Sequence, residues 1–230
     1  MNKLIISVVL AILLAVSIFG QTSNNRNYYS DLYLETFRKE QLFHEQLNFD
    51  SLDYQRLHAA VFFVTNEERS KRKLSFLAFS PELEKSAAMH SKDMYERKFF
   101  NHINPFIREK RTPNDRAGMV GISNPYLAEN IAESFGLQYE PGENVYKRGN
   151  GRFSYEPDGE LIQPHTYLTI AETLVDSWMK SKGHRKNILS GKALQLGCGL
   201  YFYYDKNFNN MPSFKATQNF QWYERISLKQ

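Results

Sequence analysis

The chain has 230 residues with 42% hydrophobic and 14% aromatic content, enough for one packed domain with some decoration and too apolar for a globally disordered chain. Its formal charge of +4, from 29 Lys+Arg against 25 Asp+Glu, is scattered rather than gathered into a stripe, which excludes a dedicated nucleic-acid binder.

Residues 1–20 differ in kind from the rest. Lys3 supplies a positive start, Leu4 to Phe19 is nearly unbroken apolar sequence, and Gly20 leads into the polar run from Gln21. This is the layout of a secretory signal peptide. An uncleaved anchor is the competing reading, because the apolar stretch is about the minimum that spans a bilayer. The remainder has no membrane-span pattern, so a secreted or periplasmic location is expected. A single cysteine, Cys198, excludes an internal disulfide, and its strand-like surroundings make it a small buried apolar residue.

Residues 21–53 read as an N-terminal extension and 54–230 as the domain proper. Leu57, Val61 and Val64 share one helical face. Ser80-Pro81-Glu82 starts a second helix, with Ser as the cap and Pro at the first helical position. Leu83, Ala87, His90 and Met94 share its face, and the helix should fade near Phe99-Phe100. On that apolar face His90 reads as a core histidine, while His44 and His58 fall in no partner pattern. Residues 136–165 are rich in Gly and Pro and read as an insertion. Within it Glu156-Pro-Asp-Gly predicts a small hairpin between Arg152-Phe-Ser-Tyr and Glu160-Leu-Ile-Gln. From Tyr167 an amphipathic helix carries Leu168, Ala171, Leu174, Val175 and Trp178 inward, with Gly183 placed to stop it. Leu196 to Tyr204 and Phe214 to Trp222 alternate as two strands across an Asn-rich turn, which makes the class α+β.

Seven segments, in order, resemble the CAP superfamily (cysteine-rich secretory, antigen-5 and pathogenesis-related proteins) in its bacterial SCP-like branch. They are Asn66-Glu-Glu-Arg, Ala88-Met-His-Ser-Lys-Asp-Met, Phe100-Asn-His, Ala128-Glu-Asn-Ile-Ala, Trp178 through Leu189, Leu196-Gly-Cys-Gly and Ala216-Thr-Gln-Asn-Phe. The resemblance covers about residues 54 to 223 and implies an α-β-α sandwich, with helices on both faces of a short antiparallel sheet. It also implies a cleft of two histidines and acid, falling here on His102, Glu129 and His184.

Two imidazoles beside a carboxylate suit a divalent cation such as Zn²⁺, with His102 and His184 as ligands, or a pH-sensitive hydrogen-bonded cluster. Many relatives carry a second Glu three residues after the helix Trp; that position is Ser181 here, and Glu172 and Asp176 lie one or two turns earlier. His165, ending the insertion, is a further ligand candidate. The reading that follows is a monomeric, non-catalytic protein that binds a lipid, small molecule or peptide. The alternative is a metal-dependent hydrolase or protease with Glu129 as general base, and a third is a structural envelope domain. Against hydrolysis, there is no Gly-x-Ser-x-Gly elbow and no His-Glu-x-x-His zinc helix.

Overall fold

The computed structural model describes residues 27–149 and 151–229; the expected signal peptide, 1–20, lies outside the described residues. Two short turns of helix, α1 (Tyr28–Asp31) and α2 (Gln41–His44), precede α3 (Tyr54–Ser70). A two-residue strand β1 (Ala78–Phe79) leads into α4 (Pro81–Glu96), then α5 (Pro113–Met119) and β2 (Leu127–Phe135). The insertion holds β3 (Tyr146–Lys147) and β4 (Phe153–Ser154). Helices α6 (Tyr167–Lys180) and α7 (Lys182–Ile188) and strands β5 (Ala193–Asp205) and β6 (Met211–Trp222) complete the chain.

The main sheet runs β1-β5-β6-β2. Its three long strands are antiparallel, and β1 adds a parallel pair at the β5 edge, which the sequence pattern does not reveal. Alternation along the strands sorts the faces. Leu196, Cys198 and Leu200 of β5 and Phe214, Ala216 and Phe220 of β6 enter one core with α3 and α6. Each fully buried Leu or Phe in it contributes about 1.5–3 kcal/mol. The opposite face carries Gly197, Gly199, Thr217 and Asn219 and lies under α4, so the chain is an α-β-α sandwich.

The N-terminal caps act as read. Ser80 Oγ accepts the Leu83 N–H with Pro81 at the first helical position, but α4 ends at Glu96, earlier than expected, leaving 97–112 to loop toward α5. Gly183 does not stop α6. The break is Ser181, whose ψ of 125° turns the chain into α7, and Gly183 sits inside that helix. The predicted hairpin is also corrected. The turn is present, closed by Gly159 N–H to Glu156 O, but only a Ser154–Leu161 bridge joins its arms, and β4 pairs with β3 instead. His58 proves to have a partner: beyond the end of β1, its Nε2 accepts the Leu200 N–H and Tyr54 Oη accepts that of Phe202, so α3 satisfies the bare edge of β5.

Residues 27–53 pack into the main core rather than trailing from it. Tyr28, Leu32, Phe37, Phe43 and Leu47 are buried there, and Phe37 stacks on Phe63. Arg38 ties this segment to Glu67 on α3 and Glu172 on α6. The insertion builds a satellite cluster from Leu137, Phe153 and Ile162 against Met211 of β6.

Candidate functional site

Strand β2 forms one edge of the sheet and carries Glu129 on the α4 face. Glu129 is 7% exposed, yet it stays ionised because cations and donors surround it. Burial alone would push its pKa up; the hydrogen bond from His102 and the charge of Arg116 outweigh that and hold it below the usual carboxylate range.

His102 comes from the loop after α4. Its Nδ1 lies 2.9 Å from Glu129 Oε1. An ionised carboxylate only accepts, so Nδ1 donates and Nε2 is the ring nitrogen not engaged by Glu129. Arg116, from α5, donates to Glu129 Oε2 at 2.6 Å and to the His102 carbonyl at 3.2 Å. Its guanidinium is fully buried, so it fixes both the acid and the loop that carries the histidine. Sequence reasoning missed Arg116. The sole signal was its position just inside the helix opened by the Thr112-Pro113-Asn-Asp115 capping box, which says nothing of a partner on β2.

His184 is the third residue of α7, not the end of a longer helix, and its ring centroid lies 6.5 Å from that of His102. Burial and the neighbouring His102 both lower its pKa. A reciprocal amide clamp holds α7 against β2: Asn130 donates to His184 O at 3.3 Å, and Asn187 donates to Glu129 O and to Asn130 Oδ1. Trp178, 1% exposed, adds a bond from Nε1 to Ile131 O, the core anchor expected of it.

His102, Glu129 and His184 are thus brought together, and the other candidates are not. Glu172 is committed to Arg38, and Asp176 is exposed on α6. Ser181 supplies no acid. The His165 ring meets Thr169 Oγ1 and lines a separate cavity, where burial lowers its pKa to about 4. Among the described residues no group of three or more His, Cys, Asp or Glu side chains is placed to hold a metal ion. Glu129 holds His102 from behind, its own side chain 2% exposed.

His90 is the buried core histidine expected. Its Nε2 donates to Asn101 O at 3.0 Å, next to His102, while Nδ1 has no partner among the described residues. Burial lowers its pKa to about 4. With folded pKa values depressed from about 6.5, His90 and His165 stay neutral in the fold while the unfolded chain takes up protons. Stability is therefore expected to fall as pH drops from about 6.5 to about 4, and His90→Gln should flatten that decline in urea titrations at stepped pH.

Compared with protein families, residues 62–220 match the cysteine-rich secretory protein (CAP) family. The chain belongs to the CAP family. A curated relative, the uncharacterized protein YkwD of Bacillus subtilis strain 168, is 30% identical to this CAP domain over 137 residues, 59% of the chain. Among solved structures, an extracellular SCP-domain protein of Bacillus anthracis strain Ames superposes with a TM-score of 0.50 at 25% identity, over 77% of the chain. The chain spans 39% of the length of the first and 45% of the second. Among its described residues, no helix is long and apolar enough to cross a membrane.

Proposed function

We propose that this CAP domain is a non-catalytic binding protein acting outside the cytoplasm, with the His102–Glu129–His184 cleft as its binding locus. The observation that carries this reading is that both oxygens of Glu129 are taken, one by His102 and one by Arg116. A general base must reach the proton it takes, and the Glu129 side chain, 2% exposed, lies buried behind His102 and Arg116. The lone thiol is no substitute nucleophile, since Cys198 is buried and burial pushes its pKa well up. The extracellular B. anthracis relative and the apolar N-terminal run favour action beyond the membrane.

Zn²⁺ or another divalent cation is the proposed cofactor, held by His102 and His184. The orientation and exposure of His102 support this role. His102 is oriented from behind by a carboxylate, as metal-bound imidazoles commonly are, and its side chain is 45% exposed. The second reading, a metal-dependent hydrolase, is favoured by one feature: with Nδ1 bound to Glu129, His102 Nε2 could itself accept a proton from water.

Calorimetric zinc titration of residues 21–230, beside the His102→Ala/His184→Ala double variant, tests the site. Micromolar affinity that disappears in the variant is the expected result, and no binding by the wild type sinks the metal. Turnover of ester or peptide substrates that His102→Ala abolishes would instead establish the hydrolase.

A further inference from the structure

The free edge of β2 opens into a groove far from the histidine pair. Ladder parity shows which backbone groups point there. Glu129 O takes Asn187 and Ile131 O takes Trp178, so the odd-numbered residues of β2 face away from β6. The even-numbered ones face β6 up to Gly136, whose N–H bonds to Pro212 O while its carbonyl, with no N–H on Pro212 to meet it, turns outward to His165. The next outward positions are Glu133 and Phe135. Among the described residues, nothing takes the N–H or C=O of Glu133 or the N–H of Phe135.

These groups border a cavity of about 430 Å³ between the strand, the insertion and α6, within the about 300–1,000 Å³ of small-ligand sites. Leu174 and the hydroxyl-bearing Thr173 and Ser177 of α6 line it, with Tyr139 of the insertion and Tyr203 of β5. The edge already takes a strand just beyond this point. Gln138 N–H bonds to Gln163 O and His165 N–H to Gly136 O, with an antiparallel Leu137–Pro164 bridge between them. Pairing stops there because the chain turns away into α6 at Tyr167.

We infer that this groove is a second binding site, for an extended peptide that adds a short strand to the free edge of β2 at Glu133 and Phe135. An unpaired run of alternating donors and acceptors is what a β-strand satisfies, and backbone pairing gives such sites affinity with little sequence demand. The site lies about 13 Å along the strand from Glu129, four residues at about 3.3 Å each. It therefore stands or falls separately from the histidine cleft.

The probe is a capped, strand-prone pentapeptide, acetyl-Ala-Val-Thr-Val-Ala-amide, beside its copy N-methylated at alternate residues, titrated into isotope-labelled protein. Shifts at the amides of Glu133 and Phe135 are expected with the first peptide, with at least tenfold weaker binding of the N-methylated copy. Glu133→Pro removes the outward backbone donor, together with the Lys215 ion pair, and leaves the bonds to β6 intact, as proline does on an edge strand. It should weaken binding at least tenfold, whereas Glu133→Ala, which also loses the Lys215 ion pair but keeps the N–H, should bind as wild type. The His102→Ala/His184→Ala protein should bind the peptide unchanged. Because recognition runs through the backbone, the inference is overturned by absence of binding at millimolar peptide, by equal binding of the N-methylated copy, or by shifts centred on His102 and His184. The peptide-side comparison decides the matter even where Glu133→Pro fails to fold.

Discussion

Gly199→Ala is expected to lower the melting midpoint by about 10 °C or more, with most of the protein lost to inclusion bodies on expression. A Cβ at Gly199 would lie 2.0 Å from the backbone nitrogen of Ala88 and 2.5 Å from the carbonyl carbon of Ala87. Those are helix backbone atoms, so no side-chain rotation relieves the clash, and α4 must lift off the sheet. Overpacking costs about 1–3 kcal/mol where side chains can give way, and this site exceeds that. Each kcal/mol shifts the midpoint of a domain this size by about 2–4 °C.

Gly197 is placed alike, its absent Cβ 2.0 Å from the Glu84 nitrogen. The two glycines stay in step because four helical residues advance about 6 Å and two strand residues about 6.7 Å. The Gly-Cys-Gly segment is thus a seat for α4 along one turn, with the Cys198 side chain in the opposite core. Gly183→Ala is the control. Its Cβ meets nothing within 4 Å and it sits within a helix, so the substitution should stabilise by about 0.5–1 kcal/mol. Differential scanning calorimetry of the three proteins compares them directly, and a Gly199→Ala midpoint within 3 °C of wild type would refute the close-approach account.

The long amphipathic helices and the β5–β6 pair were legible because periodicity reports them, and the CAP-like segments pointed to His102, Glu129 and His184, which the structure brings together. Other parts left no local trace. Leu127–Phe135 carries Ala, Asn and two Glu, a composition that does not favour a strand; it is extended because β6 pairs along its whole length. The buried residues of 27–53 are spaced for short turns instead of one helix face, so no period marks what they cover. Gly183 misled because glycine commonly follows a helix, whereas here the extended ψ of Ser181 makes the break two residues earlier. Arg116 was invisible for a different reason. Its role depends on β2 and the His102 loop converging on α5, which only the tertiary structure shows.

That convergence makes Arg116→Ala the second large effect. Both members of the ion pair are buried, and removing one partner leaves an uncompensated carboxylate, a loss of about 3–5 kcal/mol at neutral pH. The variant also strips donors from the carbonyls of His102 and Lys110. The His102 loop should therefore loosen, and any zinc binding of the kind proposed above should weaken along with stability. The pH dependence separates the lost charge pair from simple loss of packing. In the wild type the folded pKa of Glu129 is depressed, so its contribution is present above about pH 4.3 and is lost as pH falls through the folded value. Without Arg116, burial dominates, the carboxyl pKa rises, and a proton neutralises the stranded charge at a pH where the wild type is still ionised. The stability gap between the two proteins should accordingly shrink as pH is lowered from 7 toward 4, by urea titration at each pH. A gap that stays constant across that range would mean Arg116 acts through packing and its carbonyl bonds, not through its charge on Glu129.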